Sequence, residues 1–189
     1  QVSGRDGFYK GEIADLIHEQ MIINDGLIRK EDLASYEVNL YQPIRTSYRG
    51  NKVFAMGAPS GGGIVVLTAL NVLECFQLSQ LTPNSAGIYH LIAEAMKFAH
   101  HNRAKYVGDP SFSKIPYDML LSKKLACEKA REINLKKASS PKQTARTGSK
   151  INDSYKESKD TTHYSIVDKD GNAVSVTYTL GYSFGSGVT

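Results

Sequence analysis

The sequence predicts a mixed α+β chain, and three features carry that prediction. Apolar residues recur at helical spacing through the first two thirds, strict alternation appears near the end, and clusters of glycine, proline and asparagine punctuate the segments between them. Ile13, Leu16, Ile17 and Met21 share one helical face, and Asn24-Asp25-Gly26 supplies residues that stop a helix in a left-handed turn, so a first helix is expected over 8–24. Lys30 to Ser35 adds a short helical turn. Ile44 to Tyr48 and Lys52 to Met56 read as two strands joined through Gly50-Asn51. Pro59-Ser60-Gly61-Gly62-Gly63 then breaks the chain ahead of Ile64 to Phe76, a stretch apolar enough for a mostly buried helix. A third helix begins near Ser85 with Leu91, Ala95, Phe98 and Ala99 on one side, and a fourth covers Pro116 to Glu132, since proline is tolerated in a first turn.

Composition changes sharply after that. Residues 136–160 carry seven lysines and arginines among serine, threonine and asparagine, with only Ile151 and Tyr155 as large apolar groups, so the segment buries little and reads as a flexible surface linker. Order returns at once. Tyr164, Ile166, Val174, Val176 and Tyr178 alternate with Ser165, Ser175 and Thr177, and Asp168-Lys169-Asp170-Gly171-Asn172 provides turn chemistry between the two runs. Hairpin strands are therefore expected over 162–168 and 173–180. A connection with an odd number of residues sets Thr161 opposite Thr179 on one face; an even one sets Leu180 there instead.

Several function classes drop out. Lysine and arginine exceed aspartate and glutamate by only 23 to 19, spread over the whole length, so nucleic acid is not the expected partner. No apolar run approaches the roughly 18 residues that span a bilayer, and residues 1–30 lack the regions of a signal peptide. A soluble chain is expected. Cys75 and Cys127 have no neighbouring cysteine, which rules out a CxxC pair or a zinc knuckle and leaves a disulfide between them open. His100-His101 point in different directions on a helix and make a poor metal pair, while His18 and His90 have no acidic or cysteine companions at ligand spacing. The glycine run 61–63 leads into Ile64-Val65-Val66 rather than Gly-Lys-Ser/Thr, so it fits close backbone packing, or an anion contact in a larger site, better than nucleotide binding.

Asp160-Thr161-Thr162-His163-Tyr164-Ser165 joins a cleavable linker to the first residue of a well-patterned strand. Threonine is a weak nucleophile unless a base stands beside its hydroxyl. A cut before Thr161 frees an α-amino group whose reference pKa of about 7.7–8.0 leaves a useful neutral fraction at physiological pH, so one residue supplies both nucleophile and base.

The run from Thr161 to Thr179 resembles the start of the small subunit of γ-glutamyltransferases. Phe8-Tyr9-Lys10-Gly11, Gly26-Leu27-Ile28, Lys30-Glu31-Asp32-Leu33, Tyr48-Arg49-Gly50, Pro59-Ser60-Gly61-Gly62-Gly63 and Gly108-Asp109-Pro110 are similar to blocks of the large subunit, in the same order. The resemblance implies an αββα N-terminal-nucleophile hydrolase fold, present here in part. It implies residues 1–160 as the C-terminal part of a large subunit, with 136–160 the linker, and 161–189 as the start of a small one. Autocleavage at Asp160-Thr161 is implied, with Thr161 as nucleophile and Thr179 hydrogen-bonded to it. The implied chemistry is transfer or hydrolysis of the γ-glutamyl group of glutathione or related donors through a threonine ester, to water or to an amino acid or peptide acceptor, with no metal or organic cofactor. By analogy with bacterial members, a periplasmic or secreted location is expected.

Gly181 departs from the pattern, since the family commonly has a substrate-contacting asparagine there. Gln1 has no methionine before it and Gly185 to Thr189 follow directly on a strand-like run, so the chain reads as an excerpt, inactive alone and completed by the rest of both subunits. Two other readings remain: a related self-processing amidase or acylase, and a non-catalytic interaction domain that keeps the fold. The composition of 136–160 makes a first testable statement. Limited trypsin treatment is expected to cut earliest at Lys142, Arg146 or Lys150, and late cutting there would show a docked segment.

Overall fold

The computed structural model describes residues 3–140 and 161–179, and its elements fall into two compact units: Gln1–Asn39 with Lys150–Thr189, and Leu40–Ser149. The first unit thus draws on both sides of residue 160.

In the first unit, α1 (Asp6–Tyr9) and α2 (Glu12–Ile23) replace the single helix expected over 8–24. Gly11 lies between them at φ 73°, a conformation no helical residue adopts, so Phe8 and Tyr9 form a separate turn. The expected stop is present: Asp25 takes φ 52° and the Gly26 N–H donates to the Met21 carbonyl at 2.7 Å. Gly26 is there for space rather than for its backbone angle, because a Cβ at that position would come 2.4 Å from Met21 Sδ. α3 (Lys30–Ser35) forms where expected, its first turn closed by the Arg29 N–H donating to Asp32 Oδ2 at 2.8 Å. An ion pair from Lys30 to Asp15 ties it to α2, and Tyr36 stacks on Tyr9 with ring centroids 5.3 Å apart.

The second unit is built around α4 (Gly62–Leu73), in which Ile64, Val65, Leu67, Thr68, Ala69, Asn71, Val72 and Leu73 are all buried. Burial on nearly every side makes it the central helix, packed by neighbours all round. It starts two residues before the expected Ile64. Gly63 lies so close to the backbone just beyond the strand pair that a Cβ would meet the Met56 carbonyl oxygen at 2.0 Å, so this one glycine of the run serves close packing. On one side stands the hairpin of β1 (Ile44–Tyr48) and β2 (Asn51–Ala55), paired antiparallel with Tyr48 opposite Asn51. Its two-residue turn puts Arg49 at φ 50° and Gly50 at 81°, the sign that a tight hairpin needs at both positions. β2 therefore begins one residue earlier than the sequence suggests.

α5 (Ala86–Tyr106) lies along α4 and presents Leu91, Ala95, Ala99 and Asn102 as its buried stripe, with the Ser85 hydroxyl capping its start by accepting from the Ile88 N–H at 3.4 Å. The helix expected over 116–132 is instead two: α6 (Tyr117–Leu120) and α7 (Lys123–Glu132). Tertiary hydrogen bonds cause the break. Thr68 Oγ1 donates to the Leu120 carbonyl at 3.2 Å and Asn71 Nδ2 to the Leu121 carbonyl at 3.0 Å, while Ser122 turns extended and caps α7 by accepting from the Leu125 N–H. Ala126 and Ala130 let α7 approach α4 closely, and Cys75 and Cys127 form a disulfide there across 52 residues. Closing a loop of that length contributes roughly 4 kcal/mol in chain-entropy terms.

Residues 136–140, the start of the expected linker, are held. Ser139 donates to Glu94 of α5 from its N–H at 3.0 Å and from its hydroxyl at 2.6 Å, and Lys97 bridges the Glu94 carboxylate and the Ser139 carbonyl. Composition understated this because one serine and a lysine of α5 satisfy the buried carboxylate without any apolar burial. The remainder of the expected linker, 141–160, lies outside the described residues.

Glu94 is 6% exposed. Burial works to raise its pKa, but the donors from Lys97 and Ser139 outweigh it and bring the carboxyl from 4.5 down to about 2. A folded pKa below the unfolded one gives stability that is present above pH 4.5 and lost as pH falls toward about 2. The expected outcome for Glu94→Gln in the full-length protein is a loss of up to roughly 3 kcal/mol at neutral pH and a flatter stability profile between these values. Chemical denaturation at a series of pH values measures both.

Candidate active site

The candidate site lies on a hairpin whose geometry is set by local chemistry. β3 (Thr162–Val167) and β4 (Ala173–Tyr178) are joined by residues 168–172, and this turn is organised by one carboxylate. Asp168 Oδ1 accepts from the N–H groups of Asp170 and Asn172, both at 2.9 Å, and Oδ2 accepts from Asn172 Nδ2 at 2.8 Å. The Asn172 side chain, then its backbone, holds the Asp168 carboxyl below its ordinary range. Gly171 takes φ 80°, the left-handed position that closes the turn.

The connection holds an odd number of residues, and the register follows from it. Val167 pairs with Ala173, Ile166 with Val174, Ser165 with Ser175, Tyr164 with Val176, His163 with Thr177 and Thr162 with Tyr178. One more step sets Thr161 against Thr179. Side chains alternate between faces, so Tyr164, Ile166, Val174, Val176 and Tyr178 share one side, and Thr161, His163, Ser165, Ser175, Thr177 and Thr179 share the other. On this polar face the Thr161 hydroxyl donates to Thr179 Oγ1 at 3.1 Å. Both residues are exposed. The register brings together the two residues singled out by the sequence, while Asp160 and Gly181 lie outside the described residues.

Sequence reasoning missed His163. Its Nδ1 is 2.6 Å from Thr177 Oγ1, and its Nε2 lies 3.4 Å from Ser165 Oγ and 3.3 Å from Ser175 Oγ, so one ring touches both strands. The alternation that placed Thr161 and Thr179 on one face could have found it, because His163 stands two residues along the same face. No group of three or more His, Cys, Asp or Glu among the described residues could hold a metal ion.

A hydroxyl on the residue just before a strand, with a second hydroxyl beside it just past the end of the paired strand, is an arrangement that acyl transfer can use once a base is supplied. Comparison with known proteins identifies the relatives of the chain. A family model described as Gamma-glutamyltranspeptidase matches residues 1–189. The chain is 46% identical over 186 residues to the glutathione hydrolase proenzyme of Escherichia coli (strain K12), an alignment that covers 98% of this chain and 31% of that protein. It therefore spans about a third of that relative's length. Among solved structures, the Helicobacter pylori gamma-glutamyltranspeptidase superposes with a TM-score of 0.73 at 37% identity, covering 80% of this chain and 44% of that one. A cephalosporin acylase from Bacillus halodurans superposes with a TM-score of 0.75 at 32% identity, over 97% of this chain and 31% of that one. The fold is accordingly that of the N-terminal-nucleophile hydrolases, of which the described helices and hairpins are a part. Matched over its whole length by the family model, the chain belongs to the gamma-glutamyltranspeptidase family.

Proposed function

We propose that the complete protein transfers or hydrolyses γ-glutamyl groups, with Thr161 as nucleophile after the chain cuts itself between Asp160 and Thr161. The observation that carries this reading is the Thr161–Thr179 hydrogen bond at 3.1 Å on the polar face of the hairpin. In the cut, the Thr161 hydroxyl attacks the Asp160 carbonyl and the C–N bond breaks. The Thr161 nitrogen takes the proton, and water opens the resulting ester to leave an Asp160 carboxylate and a free Thr161 amine. That amine, in its neutral form, then accepts the hydroxyl proton as Thr161 Oγ1 attacks the γ-carbonyl of a donor. The proton passes to the departing amine, and a γ-glutamyl ester remains on Thr161. Water releases glutamate, or the amine of an amino acid or peptide takes the group. Glutathione is the proposed donor, supported by the likeness to the glutathione hydrolase proenzyme of E. coli. Residues 1–160 and 161–189 would then belong to the large and small subunits of one enzyme.

The cephalosporin acylase likeness favours a second reading, an amidase of the same family that acts on other acyl groups. Comparing γ-glutamyl and glutaryl anilides as substrates of the full-length protein separates the two. A periplasmic or secreted location is supported by the Cys75–Cys127 disulfide, since such bonds persist in oxidising compartments. Alkylation of protein taken directly from cell fractions is expected to modify neither cysteine before reduction and both after it; free thiols in the native protein would count against that location.

For the nucleophile, the full-length Thr161→Ala variant is expected to stay uncut and inactive, while Thr161→Ser keeps a hydroxyl and some of both activities. N-terminal sequencing of the smaller fragment is decisive, because a start at any residue other than Thr161 separates the proposed base from the proposed nucleophile.

A further inference from the structure

Cleavage before Thr161 turns the nucleophile into a chain end, and chain ends fray unless something nearby ties them down. Among the described residues β3 and β4 pair with each other alone, so the side-chain contacts that tie Thr161 to Thr179 there lie on their shared polar face. Moving inward from that end, the next pair on the same face is His163 and Thr177.

We infer that His163 is a positioning residue, a brace that locks the two strands together behind the nucleophile so that Thr161 and Thr179 meet. The geometry is unlike that of a simple cross-strand pair. Nδ1 reaches straight across the ladder to Thr177 Oγ1 at 2.6 Å, while Nε2 sits between Ser165 Oγ on its own strand, at 3.4 Å, and Ser175 Oγ on the other, at 3.3 Å. The ring therefore spans two successive cross-strand pairs, and Ser165 and Ser175 are themselves joined hydroxyl to hydroxyl at 3.4 Å. A slip of one residue would send His163 to the apolar face and break all of these contacts together. Hydroxyls can donate or accept, so either neutral tautomer of the imidazole finds partners at both ends. Removing the ring leaves the turn at 168–172 intact but frees the strand ends, where Thr161 sits. Reacting groups must meet within a few tenths of an ångström, so loosening at this end falls directly on the chemistry.

This inference rests on Thr161 being the nucleophile, and the experiment separates the two. In full-length protein, Thr161→Ala, His163→Ala, His163→Asn, Thr177→Val and the His163→Ala/Thr177→Val pair are followed by mass spectrometry for the rate of the 160–161 cut. The processed fraction is then assayed for kcat and KM on a γ-glutamyl anilide. His163→Ala is expected to slow the cut and lower kcat by about tenfold or more, with KM changed by less than about threefold. His163→Asn, whose amide can replace the Nδ1 contact, is expected to recover most of the loss. Thr177→Val lowers the same parameters, and the double variant is no worse than the weaker single one, because both remove one contact. A His163→Ala enzyme with kcat within about twofold of the parent, or single effects that multiply in the double variant, overturns the brace. Should His163→Ala fail to fold, Thr177→Val and Ser165→Ala/Ser175→Ala read the same contacts from the other side, and parental rates in both would overturn it. Cleavage of Thr161→Ala at the 160–161 bond would sink the nucleophile itself, whatever the His163 variants do.

Discussion

Asn71 is fully buried in the middle of α4, and its amide is shared between two elements packed on that helix. Oδ1 accepts from Thr46 Oγ1 of β1 at 2.7 Å, and Nδ2 donates to the Leu121 carbonyl at 3.0 Å. An unpaired amide in such a position costs about 1–3 kcal/mol, so each partner must hold its place for the others to be satisfied. One turn earlier, Thr68 does the same for Leu120. The consequence runs through the whole larger unit. The strand hairpin is pinned to one side of α4, the chain is forced to break between α6 and α7, and α7 restarts at an angle that brings Cys127 to Cys75. Nearby, Glu74 accepts from Lys123 and from the Arg49 N–H, which lower its pKa and bind the start of α7 to the turn of the first hairpin.

The hairpin that carries Thr161 is organised by different means. Its turn is closed by a single aspartate, its register by the count of residues in that turn, and its polar face by hydroxyls and one imidazole. Each of these interactions spans fewer than twenty residues of sequence. The opposite face carries exposed Tyr164, Ile166, Val174 and Tyr178, an apolar surface as expected of one side of a larger sheet. Local chemistry thus sets where the two threonines meet, while the larger protein determines what surrounds them.

Membership of the gamma-glutamyltranspeptidase family and likeness to a cephalosporin acylase are compatible because a fold hosts chemistry without specifying substrate. What the named relatives share with this chain is the family and the fold.

The sequence by itself determined the class of the chain, the approximate places of most elements and the candidate site's two threonines, because these depend on short-range rules. Helical spacing located α4 and α5, alternation and turn residues located β3 and β4, and an odd connection set Thr161 across from Thr179. Only the tertiary structure decided the rest, wherever a partner far along the chain was involved. Ser122 is a residue type that can start a helix, but the groups that claim the Leu120 and Leu121 carbonyls at the break between α6 and α7 are some fifty residues away. The Cys75–Cys127 bond and the docking of Ser139 on Glu94 depend likewise on helices meeting in space, which composition cannot report. His163 stands between the two cases: alternation gives its face, but the contacts that make it a brace require the ring, Ser165, Ser175 and Thr177 to converge at hydrogen-bonding distance.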